Sequence, residues 1–346
     1  MTETSAETSR MFVEAGAAPR QAALQRSRNR DALIETAQRI RALDPPFAIT
    51  IARGSSDHAA AFAKHLFETR LRIPVVSQPP SLATLYGATS PRLRGSLALA
   101  ISQSGRSPDL IETAAAAKAE GALVVALVND EASPLAEQAD ILLPLHAGEE
   151  RSVAATKSYI GSLVCVADLV AELTDDATLQ SALAEIEPAL TQAWNADWTQ
   201  AVRRLSDTER LLVLGRGSTL PIAAEAALKF KEVARIHAEA FSSAEVAHGP
   251  MALIRDGDPV LAFTPSDAAN EGFADRLASL RDRGAAILCA GNSDNGCDLP
   301  VVRCRDPAVD AIAMIQSFYR FVEALARARG LDPDNPAHLS KISRTR

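Results

Sequence analysis

Phe47-Ala-Ile-Thr-Ile-Ala-Arg-Gly-Ser-Ser56 is the stretch that decides the fold of this chain. Its first six residues are apolar or β-branched and predict a buried strand, and the following turn opens a predicted helix through His58 to Glu68. The same order recurs with a strand over Gly95 to Ile101, a helix over Pro108 to Ala119 and a strand over Leu123 to Val128. Strands that alternate with helices indicate βαβ units. The sequence therefore predicts an α/β fold of parallel strands with helices on both faces.

The second half of the chain repeats the first. Arg53-Gly-Ser55 matches Arg216-Gly-Ser218, and Gly121 matches Gly284, with both pairs 163 positions apart. A constant offset over this length predicts two tandem duplicated domains. A helical stretch from about Glu14 to Leu43 precedes them. We divide the chain into an N-terminal helical segment (1–45), a first domain (46–175), a helical linker (176–206), a second domain (207–330) and a C-terminal tail (331–346).

Composition excludes several classes of protein. The 346 residues are 47% hydrophobic and 23% charged, which is typical of globular domains. A formal net charge of −7 argues against nucleic acid as a partner. The N-terminus does not resemble a signal peptide, and no apolar run is long enough to cross a bilayer, so we expect a cytoplasmic protein with no membrane partner. The four cysteines form no C-x-x-C pair, and we expect reduced thiols and no metal site.

A cluster of polar side chains lies between a predicted strand and a predicted helix. Ser102-Gln-Ser-Gly-Arg-Ser107 combines hydroxyl and amide groups with a helix N-terminus, which suits a phosphate monoester. A helix cap with spare serines is the alternative interpretation. Ser55 and Ser56 follow the preceding strand and would complete the phosphate site. In the second half the equivalent turn is Thr264-Pro-Ser-Asp267, whose proline and aspartate disfavour phosphate, so the two domains are expected to build one site.

Three further sequence features offer groups for acid–base chemistry. Glu225, Lys229 and Glu232 share one stripe of a predicted helix, although the spacing alone favours a solvated surface pair. His248 follows a loop of small residues, where an imidazole would be exposed for proton transfer, but a single loop histidine is more often incidental. Lys341 lies in the tail, which is alternatively a frayed end. Neither a Walker loop nor a complete dinucleotide fingerprint is present, so no nucleotide cofactor is expected.

Taken together, the motifs resemble a known family. Gly54-Ser-Ser-Asp-His58, Ile101-Ser-Gln-Ser-Gly105, Val153-Ala-Ala-Thr-Lys157 and Ala227-Leu-Lys-Phe-Lys-Glu232 resemble the tandem sugar isomerase (SIS) domains of glucosamine-6-phosphate synthase. Gln103-Ser-Gly-Arg-Ser-Pro-Asp109 and Ala240-Phe-Ser-Ser-Ala-Glu245 resemble SIS-type glucosamine-6-phosphate deaminases more closely. The resemblance covers essentially the whole chain. It implies two α-β-α sandwich domains, a sugar phosphate substrate and a homodimer.

The resemblance also implies roles for individual residues. Phosphate would be held by Ser56, Ser102, Gln103, Ser104 and Ser107. Val153 and Ala155 would line the sugar pocket, although the synthases usually have serine at the latter position. Glu232 would move a proton between carbons 1 and 2, and His248 of the neighbouring subunit would assist ring opening. Lys341 would contact the open-chain sugar, with or without forming a Schiff base. Glu225 and Lys229 then become charges that organise the site, which reverses the preference from spacing alone.

The implied reaction depends on how the chain begins. The synthases carry an N-terminal glutaminase domain, whereas the SIS-like sequence here starts soon after Met1. The expected reaction is therefore the deamination of glucosamine 6-phosphate to fructose 6-phosphate and ammonia, with no cofactor. Two alternatives stay open. One is an enzyme acting on galactosamine 6-phosphate or fructosamine 6-phosphate, and the other is a non-catalytic sensor of sugar phosphates.

Overall fold

The structure is a computed structural model that describes residues 8–291 and 296–341. The first seven residues of the N-terminal segment and the last five of the tail lie outside this part of the chain. The first half contains helices α1 (Arg10–Gly16), α2 (Ala18–Leu43), α3 (Ser55–Leu66), α4 (Pro80–Thr84), α5 (Pro108–Ala119), α6 (Pro134–Gln138) and α7 (Lys157–Thr174), and strands β1 (Ala48–Ile51), β2 (Val75–Ser77), β3 (Leu97–Ser102), β4 (Leu123–Val128) and β5 (Ile141–Pro144).

The second half follows after three short helices, α8 (Ala177–Ala184), α9 (Ile186–Trp194) and α10 (Thr199–Leu205). Its strands are β6 (Arg210–Gly215), β7 (His237–Ser242), β8 (Pro259–Phe263), β9 (Ala286–Gly291) and β10 (Leu299–Pro300). Its helices are α11 (Thr219–Ala234), α12 (Phe273–Arg281) and α13 (Pro307–Ala328). Among the described residues, no helix is both long enough and apolar enough to span a bilayer.

Each half forms a parallel five-stranded sheet with the same strand order. The first sheet runs β2-β1-β3-β4-β5 and the second runs β7-β6-β8-β9-β10. In the first sheet Ala48 pairs with Leu97, and in the second Leu212 pairs with Val260. The predicted fold class, two tandem α/β domains with parallel strands, is confirmed. The helix Pro108–Ala119 and the strand Leu123–Val128 are confirmed residue by residue.

Glycines that are 163 positions apart in the two halves have nearly the same backbone φ angles. Gly54 and Gly217 have φ angles of 55° and 59° at the turns after β1 and β6. Gly121 and Gly284, which precede β4 and β9, have φ angles of 91° and 92°. These left-handed conformations favour glycine because it lacks a Cβ atom. The offset of 163 positions therefore aligns backbone conformation as well as residue type.

The central layer of helices packs between the two sheets. Alternate residues of β3 point in opposite directions: Leu97 and Leu99 join the central core, and Ala98 and Ala100 join the outer cluster with α5. Helix α3 of the first half packs on α11 of the second, and α11 packs on α13. Because α3 and α11 start at the carboxyl edges of β1 and β6, this contact brings the two edges together.

Three expectations from the sequence need correction. The predicted helix from Glu14 to Leu43 is two helices, because α1 ends at Gly16 and α2 begins at Ala18. Strands β2, β5, β7 and β10 were not predicted, since they are short or carry polar residues. The expectation of reduced thiols is wrong for one pair. Cys289 of β9 and Cys297, which precedes β10, lie 4.6 Å apart between Cα atoms and form a disulfide, whereas Cys165 and Cys304 are free.

Replacing Gly105 with alanine is expected to destabilise the fold by about 2–4 kcal/mol, combining the left-handed backbone with overpacking. Gly105 has a φ of 62°, and a Cβ there would lie 2.1 Å from Ser133 Oγ and 2.8 Å from Val128 Cγ1. Gly87 is the matched control, because its φ is 57° but a Cβ would meet no atom within 4 Å. Gly87→Ala should cost about 1 kcal/mol. Urea unfolding measures both variants, and equal losses would contradict the packing argument.

Candidate functional site

A polar cavity of about 210 Å³ lies at the carboxyl edge of the first sheet. It is at the point where β2 and β3 lie on opposite sides of β1, which is where open α/β sheets bind ligands. Loops, the helix α11 and the C-terminal tail contribute to it. The lining residues are Arg53, Gly54, Ser55, Ser56, Ser102, Gln103, Ser104, Ser107, Leu110, Val153, Ala155, Glu232, Leu339, Ser340 and Lys341.

Hydroxyl groups at the end of β3 and in the turn that follows it line the cavity. Ser102 Oγ accepts a hydrogen bond from the Gly105 amide at 3.0 Å, so its own hydroxyl hydrogen remains to be donated. Ser107 occupies the cap position of α5, but its side chain makes no capping hydrogen bond. A capping role alone therefore does not account for this serine. The N-termini of α3 and α5 add backbone N–H groups and the positive ends of two helix dipoles.

A buried ionic cluster lies on α11 beside the cavity. The side chains of Glu225 and Lys229 have 0% exposure, and Glu232 has 21%. Lys229 Nζ lies 3.4 Å from Glu225 Oε1 and forms an ion pair with Glu232. The solvated surface pair that spacing alone favoured is therefore wrong, because packing of α11 against α3 and α13 excludes water from this stripe.

The ionic cluster is connected to both halves of the molecule. Lys229 Nζ donates to Ser55 Oγ at 3.0 Å on α3. Glu225 Oε2 lies 2.9 Å from His58 Nδ1, also on α3, and Tyr319 of α13 donates to Glu225 Oε1 at 3.1 Å. Three elements thus hold one buried carboxylate.

Burial and charge oppose each other in this cluster. Burial by itself would raise the pKa of Glu225, but Lys229, His58 and Tyr319 outweigh it and lower that pKa below its ordinary value. Burial would lower the pKa of Lys229, but Glu225 and Glu232 outweigh it and raise that pKa. The ammonium and the buried Glu225 carboxylate are therefore both charged near neutral pH.

The tail brings Lys341 to the cavity through two anchors. Lys341 Nζ donates to the Ser152 carbonyl at 2.7 Å and to Glu150 Oε2 at 3.3 Å. Glu150 is buried, and although burial opposes it, Lys341, Ser158 and backbone amides lower the pKa of this carboxyl group. Further back, the carboxylate of Asp334 accepts from the amides of Arg10 and Met11 at 2.8 Å each. Hydrogen bonds thus anchor this segment of the tail at both ends.

The structure brings most of the predicted site residues together, but not all of them. Ser55, Ser56, Ser102, Gln103, Ser104, Ser107, Val153, Ala155, Glu232 and Lys341 line the cavity. Glu225 and Lys229 lie behind it. His248 is exposed at the end of a short 3-10 helix, Glu245–His248, and is not among the lining residues of this chain.

Sequence reasoning missed Arg53, His58 and Glu150 as members of the site. Arg53 and His58 stood in quoted motifs, but the contact of His58 with Glu225 joins residues 167 positions apart. In the second half, Thr264 Oγ1 lies 3.2 Å from Cys289 Sγ, and Asp267 accepts from the Ala269 amide. Within residues 8–291 and 296–341, no group of His, Cys, Asp or Glu side chains is placed to hold a metal ion.

Two repeated parallel sheets with a hydroxyl-rich cavity at a sheet edge define a two-domain α/β protein. The model of the SIS domain matches residues 47–171 and 204–304, and the chain belongs to this family. The glutamine–fructose-6-phosphate aminotransferase (isomerizing) of Halobacterium salinarum is 32% identical over 309 residues, covering 84% of this chain and 50% of that protein. The chain thus spans about half the length of the curated relatives it matches.

Solved structures with the same fold include two of particular interest. A candidate phosphosugar isomerase from Silicibacter pomeroyi is 39% identical, with a TM-score of 0.90, and the match covers 94% of this chain and 100% of that one. A glucosamine-6-phosphate deaminase from Thermotoga maritima is 21% identical, with a TM-score of 0.74 and coverage of 94% and 100%. At this lower identity the likeness concerns the fold alone.

Lys229→Met is expected to destabilise the protein by about 3–5 kcal/mol at pH 8, because it leaves the buried Glu225 without its cation. The loss should be smaller at pH 5. In the wild type the folded pKa of Glu225 is lowered, so its stabilisation is present above the ordinary pKa and is lost as the pH falls through the folded value. Without Lys229, burial favours the protonated acid, which forms on acidification and reduces the cost. Urea unfolding at the two pH values measures the effect.

The double variant Glu225→Gln/Lys229→Met is the control for this pH dependence. It removes the buried carboxylate together with the ammonium, so the difference between the two pH values should largely disappear. A single variant that is equally destabilised at pH 5 and pH 8 would show that Glu225 is not the group that titrates.

Proposed function

We propose that this chain converts glucosamine 6-phosphate to fructose 6-phosphate and ammonia by isomerising deamination. The observation that carries the proposal is that Glu232 and Lys341 line the same cavity as the hydroxyl cluster, which consists of Ser102, Ser104 and Ser107. A phosphate-binding end and an acid–base end within one small cavity suit a short phosphorylated sugar.

The phosphate end belongs to the first domain, 46–175. Ser56, Ser102, Gln103, Ser104 and Ser107 would hold the phosphate oxygens, with Ser55 beside them. The N-termini of α3 and α5 favour the same negative charge. Val153 and Ala155 would then face the sugar carbons between this end and α11. Binding at the phosphate fixes the distance of carbons 1 and 2 from the catalytic groups.

The acid–base end belongs to the second domain, 207–330, and to the tail. In the open-chain sugar, Glu232 would remove the proton from carbon 2 and return it to carbon 1, which converts the aldose amine into a ketose imine. Water then adds to the imine carbon, and the carbon–nitrogen bond breaks to release ammonia and the ketone. Lys229 holds Glu232 by an ion pair from a fully buried position. Lys341 would contact the open-chain sugar as a charge partner or as a Schiff base.

The deaminating direction is supported by residues rather than by the overall fold. Gln103-Ser-Gly-Arg-Ser-Pro-Asp109, which resembles the SIS-type deaminases, contributes lining residues of this cavity. The curated relatives bear the name of an isomerizing aminotransferase. Proton transfer between two adjacent carbons is common to both directions, so the assay has to distinguish them.

Ring opening is assigned to His248 of a second copy of the chain. The imidazole is exposed in its own subunit and does not line that subunit's cavity. A homodimer with two-fold symmetry would let each subunit supply His248 to the other, because such exchange is reciprocal. Glu232 and Lys341 would serve their own cavity.

The purified protein should release fructose 6-phosphate and ammonia in equal amounts from glucosamine 6-phosphate, and the rate should survive EDTA. Glu232→Gln keeps the shape of the side chain but removes the base, so kcat should fall by roughly 10² or more with little change in substrate binding. A coupled assay for both products, with binding measured by calorimetry, checks the two expectations.

Glu112→Gln is the matched control, because Glu112 is an exposed carboxylate of α5 and should leave the rate unchanged. The substrate panel includes galactosamine 6-phosphate, fructosamine 6-phosphate, and glutamine with fructose 6-phosphate. Turnover of one of these alone, complete loss of rate in EDTA, or binding of sugar phosphates without any turnover would overturn the proposal.

Mixing the inactive variants His248→Ala and Lys341→Ala should restore activity. Random subunit exchange makes about half of all dimers heterodimers, and each heterodimer has one complete site, so about one quarter of the wild-type activity should return. The measurement is the ammonia assay on mixtures whose exchange is followed by native mass spectrometry. Confirmed exchange without recovered activity would place His248 in its own subunit's site or remove it from the reaction.

A further inference from the structure

Arg53 is a charged residue of the cavity wall with no role in the chemistry described above. It follows β1 at the start of the turn into α3, and 49% of its side chain is exposed. Among the described residues that line the cavity, only Arg53, Glu232 and Lys341 carry a formal charge. Lys341 is held by Glu150 and the Ser152 carbonyl, in the loop before α7.

The guanidinium of Arg53 is fixed by a buried carboxylate. Arg53 Nε and Nη2 lie 3.1 and 3.0 Å from Asp109 Oδ2, and the Asp109 side chain has 0% exposure. Asp109 is in the first turn of α5, two residues after Ser107. The contact therefore places the arginine at the end of the cavity that holds the hydroxyl cluster. One carboxylate oxygen cannot satisfy the five N–H donors of a guanidinium, so donors remain for a ligand.

Charge balance at this end of the cavity also requires a cation. The hydroxyl and amide side chains from Ser102 to Ser107 are neutral, and a phosphate monoester brings close to two negative charges. The buried Asp109 adds a third negative charge beneath the same helix N-terminus. The Arg53 guanidinium opposes this charge directly. With Arg53 the pair is neutral, and its planar donors match the geometry of phosphate oxygens.

We propose that Arg53 binds the phosphate group of the ligand and that Asp109 positions it to do so. Arg53 would thereby select phosphorylated sugars over unphosphorylated ones. This inference rests on the part of the proposed function that puts a phosphate monoester at the hydroxyl cluster. It does not depend on deamination.

Inorganic phosphate is the probe, with its dissociation constant measured by calorimetry on the full chain. Arg53→Gln should weaken phosphate binding by about tenfold or more, which is the usual loss for a charge-assisted contact. Arg106→Gln is the matched control. Arg106 lies in the turn between β3 and α5, but it pairs with Asp130 at 2.7 Å and does not line the cavity, so its loss should leave the affinity unchanged.

The double variant Arg53→Gln/Asp109→Asn separates direct contact from simple neutralisation. Removing the Asp109 charge as well should recover part of the affinity, but binding should stay several-fold weaker than in the wild type. Full recovery would show that Arg53 only neutralises Asp109 and would overturn the proposal. Unchanged affinity in Arg53→Gln, or no phosphate binding by the wild type, would overturn it as well.

Arg53→Lys keeps the experiment decisive if the glutamine variant does not fold. It retains the charge but loses the planar fork, so phosphate affinity should fall by about three- to tenfold, and wild-type affinity would contradict the proposal. Calorimetry does not require turnover. Arg53-dependent phosphate binding in a protein that releases no ammonia would reject the deaminase and keep this inference.

Discussion

The buried ammonium of Lys229 is the interaction on which the site depends. It lies between Glu225 and Glu232 and donates to Ser55 of the opposite half of the molecule. An unpaired charge at this depth would cost several kcal/mol, so the two carboxylates and the packing of α3 on α11 have to be present together. The same ion pair holds Glu232 at the cavity. The ion pairs of Lys229 therefore both stabilise the fold and place the proposed base at the cavity.

Duplication gives the two sheets equivalent carboxyl edges, but the described residues at these two edges make different contacts. In the first half, polar side chains after β1 and β3 face a cavity. In the second half, the Asp267 side chain caps its own turn and Thr264 contacts the sulfur of Cys289. The second half instead contributes Glu232 from α11. One repeat thus offers donors for an anion and the other offers a carboxylate, which is a division of labour that two identical domains would not provide.

Long-range anchors complete the cavity. The tail reaches it because Asp334 is held at the start of α1, and Lys341 is held by Glu150. Arg53 is fixed in the same manner by Asp109, and Glu225 by His58 and Tyr319. Arg53 and Lys341 are thus each paired with a buried carboxylate from another part of the chain. Fixed partners reduce the conformational freedom that binding would otherwise have to remove.

The α/β class could be predicted from the sequence because apolar strand runs are a local signal. The duplication and the hydroxyl cluster could be predicted as well, since a constant offset and a dense group of serines are visible along the chain. Helical spacing also predicts that Glu225, Lys229 and Glu232 share one face of a helix. Only the tertiary structure decided that this stripe is buried, that Cys289 pairs with Cys297, and that His58 contacts Glu225. Helical periodicity shows which side chains share a face but not what covers that face. Burial depends on the packing of α3 and α13 against α11, contacts between residues more than ninety positions apart in the chain.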